Sequence, residues 1–192
     1  MNKLIKWVLP LFAAVSLSSC GYNTMVEERE SVDAAWSQVE TQYQRRNDLI
    51  PNLVNTVKGA ADFEKSTLTS VMEARAKATQ VTINPGDLNE ANLQAFQKAQ
   101  SGVSSALSRL LVTVERYPDL KANQNFRDLQ AQLEGTENRI AVARKNYNET
   151  VREYNTTIQK FPKNFTASMF DFEKAVYYEA DEGSENAPRV EF

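Results

Sequence analysis

Apolar residues recur every three or four positions along most of the chain after residue 22, the spacing that places them on one face of an α-helix. Pro51 lies inside the first of these runs, where proline removes a backbone hydrogen bond and clashes with the preceding turn, so the helix should kink or restart near Asp48. Because the apolar stripe stays in phase across Pro51, we predict one kinked, continuous helix. Its apolar positions include Val32, Trp36, Val39, Tyr43, Ile50, Leu53, Val57, Ala61, Leu68 and Val71.

The next break in the pattern spans residues 80–86 and predicts a turn. Asp87 followed by Glu90 resembles a capping box that opens a second helix, which should end before Pro118. Residues 117–125 then join this helix to the last one. Helix caps in this connection are expected from Asp119, Asn123 or Asn125.

The last long helix carries a seven-residue repeat and should run from about residue 123 to residue 161. At 1.5 Å per residue it would be on the order of 58 Å long. Its repeat predicts left-handed packing against neighbouring helices, with the aromatic stripe in the core. The repeating positions are Phe126, Leu133, Ile140, Tyr147, Tyr154 and Phe161, with Leu129, Ala143, Val151 and Ile158 beside them.

These runs predict an all-α protein, because no period-two run that would indicate a sheet appears in the sequence. The short connections favour an antiparallel bundle of three long helices, or four segments if Pro51 divides the first. We expect a bundle domain over residues 20–161. The aromatic and acidic tail, residues 162–192, should pack on the bundle or extend from it.

Composition argues against an enzyme. The chain of 192 residues contains no histidine, which is the commonest general base and metal ligand, and a single cysteine. No Asp-rich loop has calcium-binding spacing, so we expect no metal and no cofactor. The formal charge of -3, without a basic stripe, argues against nucleic acid as a partner.

The first twenty residues look like a lipoprotein signal peptide. A basic start with Lys3 and Lys6 precedes the apolar run 7–17, which is too short to cross about 30 Å of hydrocarbon. The run ends in Leu-Ser-Ser before Cys20, which resembles a lipobox. We therefore expect cleavage after residue 19 and attachment to a membrane through a lipidated Cys20. The alternative is an uncleaved signal anchor.

Gly21, rather than an aspartate, follows the cysteine. In a cell with two membranes this residue favours the outer membrane as the place of the anchor. The expected location is therefore the cell envelope.

Several separate blocks follow one another along the chain: VDAAWSQV (32–39), RRNDLIPNLV (45–54), YPDLKAN (117–123), LEGTENRI (133–140), YN (147–148) and APRVEF (187–192). In this order they resemble the LemA family of bacterial envelope proteins. This resemblance implies a helical bundle held at a membrane by its N-terminus, but it supplies no function. One branch of the family is associated with magnetosome membranes, and many members keep an N-terminal transmembrane helix where this chain has a lipobox.

The densest polar cluster precedes Pro51 and admits two interpretations. An exposed arginine pair beside a kink could hold an anionic ligand or a carboxylate. Alternatively, these residues bridge to polar residues of the last helix and fix the register of the two helices. The candidate residues are Arg45, Arg46 and Asp48 on the first helix and Glu134, Glu137, Asn138 and Arg139 on the last.

Two further motifs receive structural interpretations. Glu134 and Glu137 lack the second carboxylate pair or histidine that a di-metal bundle needs, and Gly135 between them is expected to permit close helix contact. The glycosylation sequons at Asn148, Asn155 and Asn164 are attributed to chance.

The function expected from these features is that of a non-enzymatic scaffold or adaptor for an unknown envelope protein. Membrane shaping through lipid contacts is the alternative. A hydrolase using a Ser–Lys pair has no motif to support it.

Overall fold

The computed structural model describes residues 2–59 and 63–179, with side chains from Gly21 onward. The side chains of the predicted signal peptide and of Cys20 are outside this description, as is the whole closing segment 187–192, so the predictions for them stay predictions. Over the described ranges the chain is helical and contains no strand, which confirms the all-α bundle. The helices are α1 (Asn2–Lys58), α2 (Lys65–Gln80), α3 (Glu90–Val114), α4 (Pro118–Ala122), α5 (Gln124–Gln159) and α6 (Lys163–Met169), with a 3₁₀ turn at Pro85–Asp87.

The four longer helices alternate in direction. Helix α5 runs opposite to α1, because Glu28 near the described start of α1 bonds Thr157 near the end of α5. Helix α2 returns along α1 and leads to Ile83, whose carbonyl accepts a 3.2 Å hydrogen bond from the indole of Trp36. Helix α3 then runs parallel to α1, with Phe96 against Trp36 at 5.2 Å between ring centroids. The result is an up-down-up-down bundle.

The first helix does not end at Pro51, so the prediction of continuity there is confirmed. The predicted extent of this helix was wrong, because the chain leaves the helix at Lys58 and re-enters one at Lys65. The apolar stripe hides this break, since Val57 of α1 and Leu68 of α2 belong to the same core cluster. Each helix presents its apolar face to that core, so the periodicity continues across a reversal of direction.

The core has two parts, and the repeating residues of α5 contribute to both. Phe161 is the exception to the prediction and is 80% exposed, because α5 ends at Gln159 and the side chain lies beyond the helix. The near part, at the described start of α1, includes Met25, Val32, Trp36, Val39, Tyr43, Ile83, Phe96, Ile140, Tyr147, Val151, Tyr154 and Ile158. The far part includes Ile50, Leu53, Val57, Leu68, Val71, Val103, Leu107, Leu110, Val114, Phe126 and Leu133.

The helix caps follow the prediction at one end only. Asn123 caps α5 by accepting a hydrogen bond from the backbone of Phe126. For α3 the predicted cap was wrong: Asp87 closes the 3₁₀ turn, and Asn89 accepts the bond from the backbone of Asn92. Asparagine at this position does what the aspartate was expected to do, two residues later along the chain.

Gly135 does not serve close helix packing, which corrects the prediction. A methyl group placed on its α-carbon would meet no neighbouring helix within 4 Å. The described part of the chain also contains no helix with the length and apolar character needed to cross a bilayer.

Candidate functional site

Pro51 leaves a helical carbonyl without its partner, and α2 supplies a replacement. In a regular helix the N–H of residue 51 would bond the carbonyl of Asn47, but proline has no N–H. The Nε of Arg75 donates to that carbonyl oxygen instead, at 2.8 Å. This hydrogen bond joins α2 to α1 at the carbonyl that Pro51 leaves without a backbone donor.

Arg46 lies one residue before this carbonyl and is almost fully buried, with 1% of its surface exposed. Its Nη1 donates to Ser104 at 2.8 Å and to the carboxylate of Glu137 at 3.0 Å. Its Nη2 donates to both the carbonyl and the side-chain oxygen of Gln100, at 3.0 and 2.7 Å. The guanidinium also lies 5.0 Å from the ring centroid of Tyr43. Arg46 thus connects α1, α3 and α5.

This arrangement corrects the expectation of an exposed arginine pair. Arg45 is exposed, whereas Arg46 is buried, because neighbouring residues on a helix point about 100° apart. The carboxylate that the bridging interpretation called for is Glu137, whose side chain is 45% exposed. The Arg46–Glu137 pair therefore lies at the edge of the bundle, with the arginine buried and the carboxylate partly exposed to solvent.

The other candidates do not join this network in the described contacts. Asp48 accepts a hydrogen bond from Gln44, and Glu134 accepts one from Gln130, both on the surface. Asn138 and Arg139 face a groove between α1 and α5. The seven candidates thus divide into the Arg46–Glu137 pair, of which only the arginine is buried, and five exposed residues.

The α1–α5 groove is open and mainly apolar, with a volume of about 600 Å³. Small side chains form its floor: Ala34 and Ala35 from α1 and Ala143 from α5. Val142 stands at its side and is 58% exposed. The polar edge is formed by Gln38, Gln42, Asn138, Arg139 and Asn146.

A second feature, which the sequence did not reveal, is an extended segment at residues 172–179 that lies along α5. We call it the strap. The side-chain amide of Asn155 donates to the carbonyl of Ala175 and accepts from its N–H, at 2.9 and 2.8 Å. Asn148 makes the same pair of bonds with Tyr178, both at 2.8 Å.

The spacing of these contacts follows from backbone geometry. Seven helical residues rise roughly 10.5 Å, and three extended residues span roughly 10 Å, so a heptad repeat on α5 matches every third residue of the strap. Two tyrosines use the same match, since Tyr154 and Tyr147 donate to the carbonyls of Glu173 and Val176 at 2.8 and 2.7 Å. The sequence does carry one sign of this contact, the seven-residue spacing of Asn148 and Asn155. These two residues had been interpreted only as chance glycosylation sequons.

Burial of this interface changes the titration of the tyrosines. It raises the pKa of Tyr147 to about 12, because the ionised phenol would lose its hydration. Burial also raises the pKa of Tyr154. Both hydroxyls therefore remain neutral donors at physiological pH.

Acidic side chains in the described part of the chain do not cluster into a metal site. Within the described ranges, no three Asp, Glu, His or Cys side chains lie close enough together to hold a metal ion. The carboxylate of Glu40 has a structural role, because it accepts a hydrogen bond from the backbone N–H of Ile83. Burial raises the pKa of Glu40.

Comparison with known proteins gives consistent relatives. The sequence model of the LemA family matches residues 35–192. The chain is 28% identical over 190 residues to magnetosome protein MamQ 2 of Paramagnetospirillum magneticum, covering 90% of this chain and 70% of that protein. It is 22% identical over 160 residues to protein LemA of Metamycoplasma hominis, covering 83% and 69% of the two chains.

Proposed function

Because the chain belongs to the LemA family, we propose that it is a non-enzymatic envelope lipoprotein that is held at a membrane through Cys20 and acts as a scaffold or adaptor. The α1–α5 groove is the surface that would receive a protein partner. The outer membrane is the proposed location in a cell that has two.

The composition of the groove carries this proposal. Protein interfaces have an apolar centre and a polar rim, which is the distribution of Ala35, Val142 and Ala143 against Gln38 and Arg139. Alanines on the floor let another backbone approach closely, so the groove suits a short apolar helix of the partner, laid between α1 and α5. Arg139 at the rim favours an acidic residue at the end of that helix.

The polar groups support a structural rather than a catalytic role. Arg46, the most buried charged residue, uses Nη1 and Nη2 in contacts with Gln100, Ser104 and Glu137. These contacts fix the relative positions of α1, α3 and α5, and a rigid surface is what an adaptor requires. We propose no catalytic residue.

In-cell photo-crosslinking tests the scaffold. A photoreactive amino acid at position 142, in the full chain, should capture one dominant envelope protein. The matched control is position 112, where Val112 is 72% exposed on α3 and lies away from the groove. Equal capture from both positions, or none from 142, would reject the groove as the partner site.

The anchor has a separate test. Replacing Cys20 with Ala should abolish fatty-acid labelling and move the protein from the membrane fraction to the soluble fraction. Labelling that persists in the Cys20→Ala protein would reject the lipoprotein assignment. Loss of labelling with retained membrane association would support an uncleaved signal anchor instead.

A second candidate function is direct contact with lipid. It is favoured by an exposed aromatic surface at one end of the bundle.

A further inference from the structure

Large apolar side chains that are exposed concentrate at the end of the bundle where the described side chains begin. Eight such side chains occur among the described residues, and five of them lie at this end. We call these five the end patch. Its members are Tyr22, Phe161, Phe165, Met169 and Phe170.

The patch consists of two groups of neighbouring side chains, which meet in the sequence at Met169 and Phe170. Phe161 and Phe165 have ring centroids 6.1 Å apart, and Phe165 and Met169 are four residues apart on α6, hence on one face. Phe170 meets Tyr22 with ring centroids 4.8 Å apart. Helix α6 therefore presents apolar groups outward at the tip of the bundle.

Its exposure is large for side chains of this kind. Phe161 is 80% exposed, Phe165 67% and Met169 76%. With about 200 Å² per aromatic ring, the three phenylalanines alone leave on the order of 400 Å² in contact with solvent. Exposed patches of this size often mark an interaction surface.

The position of the patch beside the proposed anchor points to the lipid surface as its partner. Gly21 lies against α6, where a methyl group on its α-carbon would stand 3.6 Å from Cγ of Lys163. Cys20 immediately precedes Gly21, and the apolar run 7–17 precedes Cys20. The patch thus begins two residues after the proposed attachment point, and the anchor would hold it close to the lipid surface.

The charges around the patch suit that surface. Lys160 is exposed and Lys163 half-buried beside it, while Asp171 is at its edge. Aromatic side chains flanked by lysines are the composition that enters the boundary between lipid headgroups and acyl chains. Lysine stems can lie along the apolar side chains while the amines reach the headgroups.

We propose that the end patch inserts into the interfacial layer of the membrane that holds the anchor, so that the protein contacts lipid through Phe161, Phe165 and Met169 as well as through its acyl chains. This proposal depends on the anchoring proposed above. The proposal makes the bundle stand on its end, because the patch lies at the end of the bundle near Gly21, next to the proposed anchor. The 38 residues of α1 from Gly21 to Lys58 then extend roughly 57 Å from the membrane.

Fluorescence quenching by brominated lipid tests this contact. The full chain, purified with its own lipid modification, is reconstituted into phosphatidylcholine vesicles that carry bromine just below the headgroup. The probe variant is Phe165→Trp, and the matched control is Val112→Trp at the far end of the bundle. Vesicle flotation is measured on the same samples, and the unsubstituted protein supplies the background from Trp36, since cleavage after residue 19 removes Trp7.

The expected result is that both variants float and that quenching is severalfold stronger for Phe165→Trp than for Val112→Trp. Floating protein with equal quenching would overturn the end-patch proposal and leave the anchor in place. Protein that does not float would overturn the anchoring and, with it, the proposed membrane contact. A disulfide-linked dimer of a Phe165→Cys variant on vesicles would assign the patch to a second copy of this chain and overturn the lipid contact.

Discussion

Arg75 of α2 donates its Nε hydrogen to the backbone carbonyl of Asn47 in α1, at 2.8 Å, and so provides the hydrogen bond that Pro51 cannot make. A proline in the middle of a helix normally weakens it by about 3 kcal/mol or more. Here the carbonyl that lacks its helical donor faces α2, and Arg75 supplies the missing hydrogen bond. The proline position in α1 is therefore a point of attachment for α2.

This relationship predicts a coupling between positions 75 and 51. Arg75→Ala should lower the free energy of unfolding by about 1–3 kcal/mol, because the carbonyl of Asn47 loses its partner. In a Pro51→Ala background the restored N–H can serve that carbonyl, so the same substitution should cost less. Urea unfolding of the four proteins measures the difference. Lys77→Ala, exposed on the same helix, is the control, and equal costs in the two backgrounds would contradict the account.

The two members of the Arg46–Glu137 pair should contribute unequally. Arg46→Ala removes contacts to α3 and α5 and leaves buried acceptors unpaired, which should cost about 2–5 kcal/mol. Glu137→Gln should cost at most about 1 kcal/mol, because the carboxylate is 45% exposed and screened by water. Thermal unfolding tests this order, with exposed Arg45→Ala as the control. A costlier Glu137→Gln would mean that the ion pair, rather than the network, stabilises this position.

Loss of the asparagine contacts should release the strap. Asn155→Ala removes two hydrogen bonds to Ala175, which should cost about 1–3 kcal/mol and raise amide exchange in residues 172–179 above that in α5. Hydrogen exchange measured by mass spectrometry gives the local protection. The control is Asn146→Ala, exposed on the same helix. Unchanged exchange in the strap would show that the tyrosines hold it without the asparagine.

High pH should destabilise the fold through Tyr147. Its pKa in the folded state is about 12, above the 10.0 of an exposed tyrosine, so folding favours the neutral phenol. The stabilisation is complete below pH 10 and is lost as the pH rises through about 12. Absorbance of tyrosinate should show a late step that disappears in Tyr147→Phe. A variant that keeps the late step would assign it to another tyrosine, such as Tyr154.

Gly135→Ala should be tolerated and should stabilise α5 by about 0.5–1 kcal/mol, because no neighbouring helix lies within 4 Å of the added methyl group and alanine favours a helix interior. Gly102→Ala in α3, where the space is equally open, is the comparison. Both are measured by the midpoint of urea unfolding. A destabilised Gly135→Ala protein with normal Gly102→Ala would restore a packing role for Gly135.

The helices could be predicted because their apolar spacing reflects a core that every long helix shares. The break after Lys58 could not, since Val57 and Leu68 face the same cluster from opposite directions and keep the stripe in phase. Spacing reports which residues face a core, but it does not report the direction of the chain.

The candidate site was predicted in part for a similar reason. Composition located the polar cluster, and the structure brings Arg46 to Glu137. It was the helical rotation between Arg45 and Arg46 that decided which arginine is buried. The sequence left open whether the tail packs on the bundle, and the seven-residue spacing of Asn148 and Asn155 does not name their partners, which are backbone groups 30 and 20 residues away.

The antiparallel contact between α1 and α5 joins residues far apart in the chain: Arg46 meets Glu137 across 91 residues, and Glu28 meets Thr157 across 129. Such high contact order slows folding, since a long loop must close before its contacts stabilise it. Until α5 is available, the apolar face of α1 is covered only by α2 and α3, and the strap has no surface on which to lie. The molecule therefore completes its core only when nearly the whole polypeptide has been made. A chain that stops before α5 would remain an aggregation-prone and protease-sensitive intermediate.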